Sequence, residues 1–474
     1  MTDILRAAEP RDPALPADQP PGAGRTLKRS LGVVGGTLLT LSCVTPASSL
    51  FVLVPGNFAL LGTGTALTIL VAVVLCIGVA FCYAELGTLV PSSGGEYAMV
   101  GTVVSRFGGW LVFVQALIVV MIVPPIIALG TADYLAPIVH LDPRVTGAGV
   151  MLLATVMGLL DLRANAWVTG VFLVLEVVAS AVVAGLGFGH STRPISSLWH
   201  LQMAGPHGAA SAVGAGAVVA GLAAALFVTQ GFSTAVYLNE EMEQPRRTVV
   251  RTMLWTLGIG SAVILVPVVA ITLGAPSLSA LTGGDIAGMV QGWSNSAIGT
   301  FVSLCIALAI INAAIVMVIQ NSRVLYASAR DTTWPAPVNR AFGTLSRRYG
   351  SPWIATLAVG VPGAVLCFVP VDALNGVTGV AVAALYGFVA FAALMTRRGG
   401  HKARTAWRMP LWPVVPVILL AVLVWVLTQQ TAQDLVITAA ITAAAALYWL
   451  FYLRPRAATH WVIAVPADEA EGEA

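Results

Sequence analysis

From Ser30 to Ala84 the chain runs 55 residues without one charged side chain. At 1.5 Å of helical rise per residue, that stretch crosses a hydrocarbon core roughly 30 Å thick twice, with a turn to spare. Pro55-Gly56-Asn57 supplies the expected break between the two crossings. The composition agrees: charged residues are 9% of 474 and hydrophobic residues 58%, whereas soluble chains carry about 25% charged residues. So few charges cannot solvate a soluble surface of this size, so lipid is the main solvent. No basic tract with interleaved aromatics points to nucleic acid. The five cysteines (Cys43, Cys76, Cys82, Cys305 and Cys367) lie in apolar runs without CxxC spacing and read as inert buried thiols. Neither a cofactor nor a metal is implied.

Ten further apolar runs lie at about 107–132, 145–160, 164–189, 212–239, 252–274, 294–322, 352–371, 373–396, 410–429 and 435–453. Twelve membrane helices are therefore expected, in an all-α integral membrane protein. The basic residues support the count. With the amino terminus in the cytoplasm, 22 of the 24 Lys and Arg fall in inward-facing turns and tails, leaving only Arg144 and Arg193 outside. Cytoplasmic loops carry this excess, and a miscounted helix would scramble it. The expected location is thus the cytoplasmic membrane, multi-pass, with both termini inside.

Residues 1–27 read as a disordered tail rich in Pro and Ala, without a cleavable signal peptide. Residues 456–474 form a second tail, acidic and expected to be disordered from Ala467 on. The outer loops are short and leave no room for a catalytic domain. The longest inner loop, about 323–351, has length for one amphipathic helix.

An ionisable group deep in a membrane helix is costly and marks function by default. All six histidines fall in loops or tails, and neither lysine lies in a span. Glu85 and Asp133 sit toward helix ends, within reach of the interface. Glu176 does not: about a dozen apolar residues flank it on either side. It is able to load and release a proton, or to hold the cation of an amine. The competing reading is a neutral Glu bonded to a carbonyl or hydroxyl of a neighbouring helix.

Two spans look broken. The first carries Thr45-Pro46-Ala47-Ser48-Ser49, where proline removes a helix hydrogen bond and small hydroxyl residues can satisfy the freed backbone. The sixth carries Phe227-Val228-Thr229-Gln230-Gly231-Phe232 in mid-span. Half-helix ends expose unpaired amides and carbonyls, which suit charged solutes and coupling ions. Each alone could be an ordinary kinked helix packed on its neighbour. In a ten-helix unit made of two five-helix halves, however, the first and sixth helices are equivalent, which favours binding. Pro124-Pro125 in the third helix reads as a structural kink.

Three blocks resemble the amino acid–polyamine–organocation transporter superfamily, over about residues 28–455. They are Phe81-Cys82-Tyr83-Ala84-Glu85-Leu86-Gly87 through Gly94-Gly95-Glu96-Tyr97, then Gly231-Phe232 through Asn239-Glu240-Glu241 to Pro245-Arg246-Arg247, and Arg323 through Arg330-Asp331 with Trp334-Pro335. The resemblance implies a LeuT-type fold: two inverted five-helix repeats over 28–400, with helices one and six unwound around substrate, and peripheral helices 11 and 12 over 401–455. It implies alternating access, with substrate held at Thr45 to Ser49 and at Phe227 to Phe232, and Phe227 as a gating aromatic. The expected function is secondary transport of an amino acid or related small amine, with the proton as coupling ion at Glu176. An amine or polyamine importer or an exchanger of the same fold is the alternative. The sequence departs from the family pattern twice. The glycine-rich stretch of the first helix reads Pro46-Ala47-Ser48-Ser49, and the fifth-helix lysine of some proton-coupled members is replaced by Glu176. A membrane-embedded enzyme would need paired carboxylates, an HExxH motif or a nucleophile–base set within a span, and none is seen. A P-loop for ATP-driven transport is absent as well.

Overall fold

The computed structural model describes residues 32–90, 94–160, 162–205, 209–397 and 407–463. The tail expected over 1–27, the acidic end from Ala467, and His207 and His401 lie outside the described residues.

The first apolar segment comes in pieces: α1 Val33–Val44, the single turn α2 Pro46–Ser48, a π-helical turn Ser49–Leu53, and α3 Val54–Leu61. Pro55-Gly56-Asn57 does not break the chain as expected. Pro55 sits in the first turn of α3, where a missing N–H costs no intrahelical bond. The turn falls instead at Gly62-Thr63, where the Thr63 amide and hydroxyl bind the Gln202 and His200 carbonyls at 2.9 and 2.7 Å.

Helix α4 Gly64–Leu89 returns, and the short α5 Gly95–Val103 lies at its far end. Next come α6 Arg106–Leu129, unbroken through Pro124 and Pro125, and α7 Thr131–Leu135. The pair α8 Pro143–Leu159 and α9 Leu162–Gly189 follows. Residues 190–214 hold a 3-10 turn and an antiparallel hairpin, β1 Gln202–Ala204 with β2 Ala210–Ala212, in which Met203 faces Ser211. This hairpin corrects the all-α expectation in one small place. Then come α10 Ala215–Val228, a 3-10 stretch Phe232–Glu241, α11 Pro245–Gly274, α12 Leu278–Gly283 and α13 Ile286–Trp293. The loops expected to be short at this end thus carry small structured caps.

Helix α14 runs Ser296–Arg330, eight residues past the expected end at 322. The arginines at 323 and 330 stop a membrane crossing, but nothing before Asp331 stops a helix. The remainder is α15 Ala336–Phe342, α16 Trp353–Leu366, α17 Val371–Met395, α18 Val414–Thr428 and α19 Ala432–Tyr448. Side chains cap several starts. Ser105 accepts the Gly108 amide at 3.0 Å for α6, and Asn295 accepts the Ile298 amide at 2.8 Å for α14.

Among the described residues nine helical stretches are long and apolar enough to cross a membrane, and α8, α16 and α18 are shorter apolar helices. Large apolar side chains point outward: Val174 on α9, Phe301 on α14 and Val365 on α16 are each more than 60% exposed. Such a surface would aggregate in water and is stable against lipid. The protein is a mostly helical, multi-pass membrane protein.

Polar groups gather at the end of the bundle that carries α5. Glu85 was expected to reach the interface, yet it is fully buried. It accepts the Thr396 hydroxyl at 2.8 Å and the Met409 amide at 2.9 Å, and pairs with Arg397 at 3.3 Å. The Arg397 guanidinium also lies 4.6 Å over the Trp412 ring. Burial is tolerated because every charge has a partner. Beyond Arg456 the chain folds back over this end. Trp461 is fully buried against Tyr97, Trp110 and Phe113, with ring centroids 5.1–5.5 Å apart. Its indole N–H donates to the Arg106 carbonyl at 3.1 Å, and the Arg106 guanidinium returns a bond to the Trp461 carbonyl at 2.7 Å.

Candidate functional site between two interrupted helices

The first interruption centres on Thr45, whose backbone is left-handed (φ 45°, ψ 64°). Pro46 then starts α2 without an amide to place. The following π turn loosens the ladder, and the Tyr134 hydroxyl from α7 donates to the Phe51 carbonyl at 2.8 Å. The second interruption follows α10. Thr229 caps the helix, its hydroxyl returning to the Ala225 carbonyl at 3.0 Å and meeting Cys76 Sγ at 3.3 Å. Gly231 then turns the chain at φ 114°, a conformation closed to other residues without strain. A side chain there would also meet Val44 Cγ2 at 2.9 Å. The two interruptions therefore touch.

A pocket with about 110 Å³ of free volume, half open at its mouth, lies beside them. Of the residues expected to bind substrate, Ser49, Phe227, Gln230 and Gly231 line it. Thr45, Pro46, Ala47, Ser48, Val228, Thr229 and Phe232 are buried nearby without lining it. Helix α6 adds Val119, Val120, Val123 and Ile127, which make one wall apolar. Helix α14 adds the amides of Gln320 and Asn321, and the Asn321 side chain donates to the Val120 carbonyl at 2.7 Å.

Glu176, on α9, is not among the residues that line the pocket. It is fully buried, and neither carboxyl oxygen has a regular hydrogen-bond partner. The Ala47 amide faces it without closing a bond of normal geometry. The hydroxyls of Thr45, Ser48 and Ser180 are likewise buried and unpaired. Helix α2 packs on α9, α11 and α14, so the break in the first segment rests on the helix that carries Glu176.

Sequence reasoning passed over Glu96. It is nearly fully buried, lines the pocket from α5, and accepts the hydroxyls of Tyr83, at 3.1 Å, and of Tyr237, with a very short contact. Burial pushes its carboxyl above the ordinary range, against hydrogen bonds from Tyr237, Tyr83 and Ser233 that favour the charged form. The signal was present: an acid directly after Gly94-Gly95, inside the most specific block of the family resemblance.

A multi-pass bundle with a pocket at two interrupted helices fits a membrane transporter. A family model described as amino acid permease matches residues 31–452, and the chain belongs to that family, within the amino acid–polyamine–organocation superfamily. The methylthioribose transporter of Bacillus subtilis (strain 168) is 21% identical over 85% of this chain and 88% of its own length. The branched-chain amino acid permease BcaP of the same organism is 22% identical over 83% and 86%. BcaP of Lactococcus lactis subsp. cremoris (strain MG1363) is 25% identical over 82% and 85%.

Proposed function

We propose that the protein is a secondary active carrier that moves an amino acid across the cytoplasmic membrane by alternating access, coupled to protons. Among the described residues, nine long and three shorter apolar helices support twelve crossings. The skewed distribution of Lys and Arg supports an orientation with both termini and the α5 end in the cytoplasm. In this reading the first ten crossings are two inverted five-helix repeats, whose first helices are the interrupted ones, and the last two are peripheral. The contact of the two interruptions beside one pocket is the observation that carries the reading. Unwound backbone there offers amides to a carboxylate and carbonyls to an ammonium group.

The apolar wall from α6 suits a hydrocarbon side chain, in keeping with the branched-chain permeases among the relatives. Glu176 is the proton site: a carboxyl without a partner, beside the Ala47 amide, changes its hold on the first break when it gains or loses a proton. A second reading, an amine lacking a carboxylate, draws on Pro46-Ala47-Ser48-Ser49, which has no glycine to open the amides.

Proteoliposomes test both parts. One member of a panel of amino acids and amines should show saturable counterflow, and an inward proton gradient should accumulate it. Glu176→Gln should keep counterflow and lose accumulation. Counterflow by no member would sink the carrier reading, and full accumulation by Glu176→Gln would sink the coupling role.

A further inference from the structure

Among the residues that line the pocket, Glu96 is the one carboxylate, and no Lys, Arg or His joins it. A pocket with a single carboxylate and no basic side chain, otherwise lined by apolar, hydroxyl and carboxamide groups, has a definite preference. It attracts a cation and repels an additional carboxylate, more strongly than in water because the surroundings are less polarisable.

The acid is also held in place. Gly95 adopts φ +58°, and a side chain on it would overlap the Tyr237 ring, so the start of α5 sits directly on the stretch beyond Gly231. Three hydroxyls converge on the carboxyl: Tyr83 from α4, Ser233 and Tyr237 from the 3-10 stretch. An ionised carboxylate accepts about four hydrogen bonds. The three hydroxyls and the residue's own backbone amide fill that number, so a donor arriving from the pocket binds in exchange for one of the hydroxyls.

We propose that Glu96 is a specificity-determining residue, whose carboxylate exchanges one of these donors for the ammonium group of the travelling solute at the α5 end of the pocket. This rests on the carrier reading above and narrows it. The solute carries a primary amine and no second acid, and its amine is checked twice, at the helix breaks and again at Glu96. The residue lies on α5, outside both interrupted helices and on a different helix from Glu176, so its role is separable from theirs.

The test uses the purified full-length protein and a thermal-shift panel of the twenty amino acids and putrescine. The strongest ligand is compared with its analogue bearing hydroxyl in place of the amine. The wild type should prefer the amine by about tenfold or more, the scale of a charge-assisted hydrogen bond. Glu96→Gln should keep the hydroxyl analogue's affinity and lose most of that preference. Glu96→Asp should restore part of it. A merely structural Glu96 would instead lower the melting temperature and leave the ratio alone, and an undiminished ratio overturns the proposal. Should Glu96→Gln fail to fold, Tyr237→Phe decides. It removes a competing donor and leaves the acid, so the amine preference should hold or rise, and a fall overturns the proposal. If the wild type binds no panel member, the carrier reading itself fails and takes this one with it.

Discussion

Val44 Cγ2 occupies the space where a side chain on Gly231 would have to go, 2.9 Å from the position of its Cβ. One residue closes the first half of the first segment, and the other opens the second half of the sixth. Their contact makes the two interruptions a single mechanical unit. Gly231→Ala should therefore cost about 1–3 kcal/mol in backbone strain and collision, with transport falling further than stability. Val44→Ala in the same chain should recover part of the loss. Melting curves and counterflow on the single and double variants check this.

Phe227 lines the pocket while remaining largely buried. If it closes over the solute, Phe227→Ala should weaken binding by about tenfold, on the scale of a lost aromatic contact, and should speed exchange. Phe227→Leu should lie between the two. Unchanged affinity and unchanged exchange rate would remove Phe227 from the gate.

Glu85 and Arg397 tie α4 to the end of α17 and to the chain entering α18. Breaking one side of a buried pair leaves a charge without compensation, at a cost of about 3–5 kcal/mol. Glu85→Gln should thus lower the melting temperature strongly. Glu85→Gln with Arg397→Met should be milder than Glu85→Gln alone. Equal losses for the single and double variants would show that the pairing itself matters little.

The breaks could be read from the sequence because their cause is local. Pro46, Gly231 and clustered hydroxyls stand out in any apolar run. Glu176 stood out for the same reason. The same local logic misplaced the first turn, since Pro55 is compatible with a helix when it falls in the first turn of one. What escaped was set by distant partners. The burial of Glu96 depends on Tyr237, 141 residues further on, and that of Glu85 on Arg397, 312 residues away. No periodicity within a window carries such information. Whether an acid near a helix end meets water or a guanidinium is decided by packing alone.

Trp461 is fully buried. Its indole fills an aromatic nest formed by Tyr97, Trp110 and Phe113. Trp461→Ala should cost about 3–5 kcal/mol, read as a lower melting temperature in detergent. A change of less than about 1 kcal/mol would mean the nest collapses freely onto the gap.

The fold-back beyond Arg456 has a practical side. A polypeptide shortened after its final hydrophobic helix, or fused there to a fluorescent reporter, would lose a wedge of its interior rather than a dangling end. Tyr97, whose hydroxyl binds Asp331 at 2.7 Å, is next to Glu96 in α5. Engineers trimming that region for crystallisation would therefore disturb the α5 side of the pocket from a site that looks, on paper, dispensable.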